Sequence, residues 1–218
     1  MPDAPLILAF DTSAAHCAAA LLSGDQVLAS VDEPMAKGQG ERLLGLCGDV
    51  MKQAGKAFAD LDAIAVGTGP GNFTGIRISV SAARGLALGL GIPSIGVSRL
   101  EAMAFGTDGI VIASLDARQD AIFVQVSGTL DDADPVMCTL DTLPAIPSRR
   151  DPTCIGFQAE MIAPLCNGTV AEPAFPLAEA TARIAMGRLH RANPRPAPLY
   201  LRPADAAPAR DAPPPIIS

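Results

Sequence analysis

The fold is decided by residues 63–77, which read AIAVGTGPGNFTGIR. The apolar run at 63–66 is typical of a buried strand. Glycine permits positive φ angles and close backbone approach, while Pro70 restricts its own φ, so the segment that follows is a shaped loop. Asn72 or Thr74 can cap a helix that begins here, and free N–H groups at its first turn favour an anion. An anion site and an ordinary strand-to-helix turn are both open readings.

Neither standard phosphate loop is present in this stretch. The Walker pattern requires Gly-Lys-Ser/Thr at the start of the helix, and the loop has no lysine. The dinucleotide fingerprint requires Gly-x-Gly-x-x-Gly, and position 72 is Asn. The segment therefore has to be interpreted from its wider context.

The predicted helix after the loop, to about residue 91, is rich in small residues. They recur at three- and four-residue spacing: Gly75, Ser79, Ala82, Ala83, Gly85, Ala87 and Gly89. Glycine costs about 1 kcal/mol relative to alanine inside a helix, so the two interior glycines indicate a compensating close contact. That contact is either the chain's own sheet or a second subunit.

Several segments resemble one known family. The run GPGNFTGIR at 69–77, with ARGLALG at 83–89 and GVS at 96–98, resembles the signature of the TsaB (YeaZ) family. Four shorter segments match the family in its order along the chain. Two lie before this run, LAFDTS at 8–13 and ERLL at 41–44, and two lie after it, LDAR at 115–118 and PLYLR at 198–202. Residues 137–181 add nothing to the likeness.

The resemblance implies a non-catalytic accessory subunit. Members of the family support the threonylcarbamoyladenosine (t6A37) modification of tRNAs reading ANN codons. They share the fold of the catalytic subunit TsaD, lack its metal site and act by forming a heterodimer with it. The implied partners are TsaD and TsaE, with tRNA reached only through the complex. In the absence of TsaD, the second helix could instead pair with its own copy and give a homodimer.

The resemblance also implies two sets of site residues. The partner surface would comprise Glu41, Arg42 and Leu43 on the first helix, and Phe73, Thr74, Gly75, Arg77, Ala83 and Gly85 around the second. The remnant of an actin-like nucleotide cleft would comprise Asp11, Thr12, Gly69, Pro70 and Gly71. The family places ATP or ADP near the partner interface, and we expect no firmly bound cofactor and no metal in this chain. The chain departs from the family two residues before Glu41, where it has Gln39 and many relatives carry a histidine.

The element order predicts an α/β fold. Strands at 6–10, 17–22 and 27–31 form a meander, and a helix at 40–54 precedes the strand at 63. With the glycine-loop helix, a strand at 94–97 and a short helix from 99, this is the core order of actin-like and ribonuclease-H-like (ASKHA) domains.

We expect two small lobes and a tail. Residues 1–106 form the first lobe. Residues 107–203 form a smaller α/β lobe with strands at 110–115 and 121–127, an irregular middle and a helix at 177–191. Residues 204–218 are proline-rich and predicted to be disordered.

Composition restricts the partners. The net charge of −7 and pI near 4.7 have the wrong sign for a protein that binds nucleic acid alone. The arginines of the last third favour a solvated face: Arg149, Arg150, Arg183, Arg188, Arg191 and Arg195. A hydrophobic fraction of 49% is enough for a sizeable core.

Cysteine usage and the N-terminus predict a cytoplasmic protein. The five cysteines at 17, 47, 138, 154 and 166 contain no Cys-x-x-Cys pair, so they indicate neither a disulfide framework nor a zinc site. No signal peptide is expected, because no basic residue precedes the first apolar run. His16 and His190 are predicted to be surface or satisfied packing residues.

An enzymatic reading is the alternative. Asp11 and Asp116 each follow a predicted strand and could converge as a carboxylate pair for a metal or nucleotide. The competing interpretation is that Asp11 and Ser13 bond the backbone in a turn while Asp116 pairs with Arg118. Residues 37–52 contain no His-x-x-x-His pair, and no Gly-x-Ser-x-Gly nucleophile elbow occurs.

Overall fold

The computed structural model describes residues 4–129, 133–145 and 151–202. Within them the chain alternates short strands with five helices. The elements in order are β1 Leu6–Asp11, β2 His16–Ser23, β3 Gln26–Pro34, α1 Gln39–Gln53, β4 Ala63–Gly67, α2 Phe73–Leu90, β5 Ser94–Val97, α3 Arg99–Ala104, β6 Val111–Asp116, β7 Ile122–Ser127, β8 Val136–Cys138, β9 Thr153–Gly156, α4 Ala159–Ile162, β10 Thr169–Ala171 and α5 Leu177–Arg188. The predicted tail at 204–218, Arg149 and Arg150 lie outside the described residues.

The strands form two five-stranded sheets of the same design. The first has the order β3-β2-β1-β4-β5 and the second β10-β9-β6-β7-β8. In each sheet three strands form an antiparallel meander and two further strands add in parallel to the first strand of that meander. This repeated α/β arrangement is the predicted actin-like and ribonuclease-H-like core.

The central strand of the first sheet is covered on both faces. Side chains alternate along β1, so Leu8 and Phe10 face α1 and α2 while Ile7 and Ala9 face α5. All six residues of β1 are buried. A continuous apolar strand is what burial between two helical layers requires. This double cover fixes the position of Asp11, the last residue of β1.

Helix α5 belongs by sequence to the second half but packs on the first sheet. Its Ala178, Ala182 and Ala185 contact the face formed by alternate residues of β1, β2 and β4. The small side chains allow the helix to lie close to the sheet. The segment 177–188, which the sequence assigned to the second lobe, thus contributes to the core of the first sheet. The lobe boundary at residue 106 stays a prediction.

The second half is more regular than the sequence indicated. We expected an irregular middle, yet β8, β9 and β10 complete a five-stranded sheet around β6 and β7. These three strands have only three or four residues each, too few to show a periodic pattern. Among the described helices, none is both long and apolar enough to cross a bilayer.

Candidate functional site

The loop after β4 is fixed by backbone hydrogen bonds to the neighbouring strand and helix. The Thr68 N–H donates to the Val97 carbonyl at 2.9 Å, and the Arg99 N–H donates to the Gly69 carbonyl at 2.7 Å. The Arg99 side chain also donates from Nη1 to the Pro70 carbonyl at 3.3 Å. Gly69 has a φ of 91°, the left-handed region that favours glycine. The loop is therefore rigidly held on β5 and α3.

The turn at residues 11–13 packs directly onto this loop. Thr12 Oγ1 donates to the Gly75 carbonyl at 2.7 Å, and the Asn72 N–H donates to the Ser13 carbonyl at 2.7 Å. A Cβ on Gly75 would lie 1.9 Å from the Thr12 carbonyl oxygen, and one on Gly71 would lie 2.2 Å from the Ser13 oxygen. We name the pair of segments, residues 11–13 and 67–75, the glycine clasp. Gly71 and Gly75 are required by close backbone contact, while a Cβ on Gly67 or Gly69 would collide with the side chain of Asp11 or Ile76.

Asn72 caps α2, as one of the two sequence predictions proposed. Its side-chain oxygen accepts the N–H groups of Thr74 at 3.0 Å and Gly75 at 3.2 Å. Its own N–H is donated to Ser13, as described above. These donors at the start of the helix are therefore already engaged within the chain, which removes most of the attraction that a helix N-terminus offers to an anion.

Asp11 is a completely buried carboxylate with several partners. It accepts hydrogen bonds from the Ser13 N–H and Oγ, each at 2.8 Å, and lies 2.7 Å from His16 Nε2. Burial alone would raise the pKa of Asp11, but the His16 hydrogen bond and the charge of Arg99 outweigh burial and hold the pKa below its usual value. The charge of Asp11 is thus balanced inside the protein.

His16 was not assigned a specific partner from the sequence. It begins β2, just after the turn that follows Asp11, and its side chain is only 16% exposed. An aspartate at the end of one strand and a histidine five residues later is the signal that could have identified the pair. Arg99 completes the cluster: burial lowers the pKa of its guanidinium, and its buried Nε finds no hydrogen-bond partner among the described residues.

The structure brings the five residues of the predicted nucleotide cleft together around groups of both charge signs. Asp11 and Thr12 are fully buried against the glycine loop. Gly67 faces the Asp11 carboxylate, which would repel phosphate oxygens, while Gly71 faces both the Ser13 carbonyl oxygen and Nη1 of Arg99. Occupancy by ATP or ADP remains a prediction.

The second carboxylate of the enzymatic reading lies in a different environment. Asp116 ends β6 and is exposed, and its Oδ1 accepts the backbone N–H of Arg118 at 2.7 Å. Asp11 and Ser13 likewise form the turn contacts of the competing interpretation. Among the described residues, no group of three or more His, Cys, Asp or Glu side chains is arranged to hold a metal ion.

A cluster of two aromatic rings and an arginine lies at the exposed start of α2. Phe73 stacks on Tyr200 with ring centroids 4.9 Å apart, and the Arg77 guanidinium lies 3.7 Å above the Phe73 ring. Arg77 Nε donates to the Tyr200 hydroxyl at 2.8 Å. Sequence reasoning placed Phe73 and Arg77 on one surface but missed Tyr200, because more than 120 residues separate them.

Not all nine residues predicted for the partner surface are available to a partner. Leu43 and Ala83 are buried in the core beneath the first sheet, and Gly75 is buried in the glycine clasp. In the isolated chain these three positions are interior, because Leu43 and Ala83 face the first sheet and Gly75 faces the turn at 11–13. Their place in a partner surface stays a prediction. Glu41, Thr74, Gly85 and the ring cluster are exposed, and Arg42 is half-buried, forming ion pairs with Glu33 and Asp49.

The outer faces of α1 and α2 form an apolar groove. It is lined by Leu44, Ala82, Gly85, Leu86, Gly89 and Leu90. Leu44 is 54% exposed and Leu88 is 83% exposed. No atom lies within 4 Å of where a Cβ on Gly85 or Gly89 would stand. We call this surface the α1–α2 face, and it is open to close approach by another helix.

The arginines of the last third are not all solvated. Arg183 pairs with Glu179 and covers the Phe175 ring, and Arg188 pairs with Glu101 of α3. Arg191 and Arg195 are exposed, as predicted. Among the described residues these arginines form no continuous surface, because Arg183 is engaged by Glu179 and Phe175 and Arg188 joins α5 to α3.

Comparison with known proteins agrees with this geometry. Residues 31–140, half of the chain, match the family model described as TsaD, tRNA N6-adenosine threonylcarbamoyltransferase. The Escherichia coli tRNA threonylcarbamoyladenosine biosynthesis protein TsaB is 39% identical over 122 residues, which are 54% of this chain and 52% of that protein. The protein of the same name from Haemophilus influenzae is 34% identical over 123 residues, 54% of this chain and 51% of that protein.

A solved structure extends the similarity over most of the chain. YeaZ from Pseudomonas aeruginosa superimposes with a TM-score of 0.77 at 28% identity, covering 90% of this chain and 100% of that one. The chain spans about half the length of the curated relatives it matches. Fold and comparisons together define an α/β protein of the actin-like and ribonuclease-H-like class. Within that class the chain belongs to the TsaD family, and it groups there with the relatives named TsaB or YeaZ.

Proposed function

We propose that this chain is a non-catalytic accessory subunit for threonylcarbamoyladenosine formation on tRNA, and that it forms a heterodimer with a TsaD-type catalytic subunit and activates it. The relatives named TsaB are described as tRNA threonylcarbamoyladenosine biosynthesis proteins. A function on tRNA would place the chain in the cytoplasm. With a net charge of −7, it would reach tRNA through TsaD and TsaE rather than by itself.

The observation that carries the proposal is the α1–α2 face. Its two glycines leave the backbone of α2 uncovered, and Leu44 extends an apolar side chain into solvent. Leu88, on α2 outside the lining of the groove, is exposed as well. Burial of apolar surface contributes about 25 cal/mol per Å², and glycine lets helix backbones approach closely. Two helices of a partner laid on this face would form a four-helix contact. Close packing of a partner helix would then compensate for the helix stability that α2 loses through its two glycines.

The glycine clasp supports a non-catalytic role. Its polar groups hold the chain together: Asp11 is balanced by His16 and Arg99, and Asn72 is occupied by the helix amides. A nucleotide near the partner interface would therefore have to be held mainly by groups of the partner. On this proposal ATP or ADP binds the assembled complex and not the isolated chain.

The test is reconstitution of the modification. Cognate TsaD, TsaE, tRNA and the enzyme that supplies threonylcarbamoyl-adenylate are incubated with and without this chain, and t6A is measured by mass spectrometry of nucleosides. The informative variant is Gly85→Trp, which fills the α1–α2 face. Its matched control is Gly187→Trp, another exposed helical glycine with no atom within 4 Å of its Cβ position, on α5.

We expect the wild type and Gly187→Trp to support t6A formation and to bind TsaD, and Gly85→Trp to lose both. Equal activity of the two variants would disprove the assigned surface. Modification without this chain would disprove the accessory role. If the isolated chain forms a homodimer, analytical ultracentrifugation should show Gly85→Trp to weaken that as well, because the same face would pair with itself.

The enzymatic alternative is tested with the chain alone in ATP and Mg²⁺. It requires nucleotide or RNA turnover that both Asp11→Asn and Asp116→Asn abolish. Our proposal expects no turnover, and it expects Asp116→Asn to leave t6A formation intact because the Asp116 side chain is exposed and bonds only within its own turn.

A further inference from the structure

Two cysteines in the second sheet are in direct contact. Cys154 on β9 is fully buried, and its Sγ lies 3.7 Å from Sγ of Cys166. Cys166 is half-buried and ends the short 3-10 helix that follows α4. A disulfide requires the sulfurs to approach to about 2.0 Å, so the two sulfurs must move closer by roughly 1.7 Å. The reduced pair is thus close to bonding geometry.

The surroundings of Cys166 favour movement of that sulfur rather than of Cys154. Cys154 is held within β9, which pairs with strands on both sides. Cys166 is followed by Asn167 in the left-handed region and by Gly168, whose missing Cβ would stand 3.1 Å from the Cys166 sulfur. Its Sγ hydrogen-bonds to the Ile162 and Ala163 carbonyls, and the side chain packs against the apolar cluster of the second sheet. Cys166 is therefore the accessible and adjustable member of the pair.

Cys17 and Cys47 are set apart from this pair, whereas Cys138 packs against the same apolar cluster as Cys154 and Cys166. Burial raises the pKa of Cys17 to about 11 and that of Cys47 to about 12, and both lie in the core between the first sheet and α1. Burial likewise raises the pKa of the Cys154 thiol to about 12, with the Cys166 hydrogen bond adding to it. Initial reaction is therefore expected at Cys166, the more exposed partner.

We propose that Cys154 and Cys166 are a disulfide-forming site whose co-substrate is a low-molecular-weight disulfide such as oxidised glutathione. The Cys166 thiolate attacks one sulfur of the glutathione disulfide, forms a mixed disulfide and releases one glutathione thiol. Cys154 then loses its proton and attacks the Cys166 sulfur, displacing the second glutathione. Two protein thiols and one oxidised glutathione become one protein disulfide and two reduced glutathiones.

The contact distance explains why Cys154 can complete the reaction in spite of its burial. Its sulfur already touches that of Cys166, so the second step is an intramolecular attack within a packed site. The resulting bond would tie the end of the 3-10 helix to β9 and close the loop that contains α4. This inference is independent of the proposed function in tRNA modification.

The test is thiol titration of the folded chain in glutathione buffers. After incubation with oxidised glutathione, the sample is quenched with acid, denatured, alkylated and digested without reductant for mass spectrometry. Of the five free thiols, we expect wild type to lose two in a single Cys154–Cys166 link. The matched control Cys138→Ala, which removes another half-buried cysteine of this sheet, should lose the same two.

The single variants separate the two steps. Cys154→Ala should trap glutathione on Cys166, and Cys166→Ala should leave Cys154 reduced, because the buried thiol cannot meet the oxidant alone. Circular dichroism verifies that each variant is folded. Retention of all five thiols by folded wild type in excess oxidised glutathione would overturn the proposal, as would a link that involves any other cysteine.

Discussion

Two glycine-to-alanine substitutions in the same helix should change stability in opposite directions. Gly85 is exposed with open space around it, so Gly85→Ala should raise the free energy of unfolding by about 1 kcal/mol through helix propensity. In Gly75→Ala the new Cβ would lie 1.9 Å from the Thr12 carbonyl oxygen, so the turn at 11–13 must move by about 1 Å or more.

That movement breaks two hydrogen bonds of the glycine clasp. They are Thr12 Oγ1 to the Gly75 carbonyl, which is buried, and the N–H of the exposed Asn72 to the Ser13 carbonyl, both 2.7 Å long. Loss of the buried bond costs about 1–3 kcal/mol, because its partners are left unpaired, and loss of the second costs about 0.5–1.5 kcal/mol. With a propensity gain of about 1 kcal/mol set against this, Gly75→Ala should lose about 0.5–3.5 kcal/mol of stability.

Urea denaturation followed by circular dichroism measures both changes. The two variants share the helix, the side chain introduced and the propensity term, so their difference reports the clasp alone. A Gly75→Ala protein as stable as wild type, or stabilised like Gly85→Ala, would refute the claim that these glycines exist for close backbone packing.

Three further outcomes follow from the site. Asp11→Asn should cost about 1.5–3 kcal/mol at neutral pH, since it removes a charged hydrogen-bond acceptor. Because the folded pKa of Asp11 is lowered, its contribution is complete above the unfolded value of 3.8 and is lost as pH falls through the folded pKa, so denaturation midpoints of mutant and wild type should converge in acid. Tyr200→Phe should cost less than about 1 kcal/mol in thermal unfolding, because the ring stack persists, and Tyr200→Ala about 0.5–1.5 kcal/mol more; equal losses would contradict this. Leu88→Ser should reduce self-association in sedimentation without lowering the melting temperature, because its side chain is 83% exposed; a lowered melting temperature would contradict this.

The first half of the fold could be predicted because its strands and helices carry strong local patterns. The apolar runs at β1 and β4, the capping Asn72 and the strand Ser94–Val97 all lie where the sequence indicated them. The family resemblance grouped Asp11 and Thr12 with the loop at 69–71, and in the structure the turn at 11–13 packs on that loop. The sequence did not reveal that the carbonyl groups of residues 12 and 13 occupy the space beside two glycines of the glycine clasp. A glycine that makes room for a ligand cannot be told by sequence from one that makes room for a backbone carbonyl.

The orientation of α2 could not be predicted, for a physical reason. Small residues occupy both of its faces, so Ala83 points into the core and Gly85 points away from it without any contrast in polarity between them. Ordinary amphipathic patterns separate buried from exposed positions by polarity, and between these two small residues that contrast is missing. The contact of Phe73 with Tyr200 could not be predicted either, because it depends on the path of the chain after α5.

The return of α5 to the first sheet makes the N-terminal segment dependent on residues made much later. Until Leu177–Arg188 has been synthesised, the inner sides of β1, β2 and β4 lack their alanine-lined cover. A ribosome-bound chain that ends near residue 106 would thus carry a sheet shielded on one side only, which other apolar surfaces could contact. We therefore expect the first sheet to be completed late in synthesis, when α5 packs onto its uncovered face.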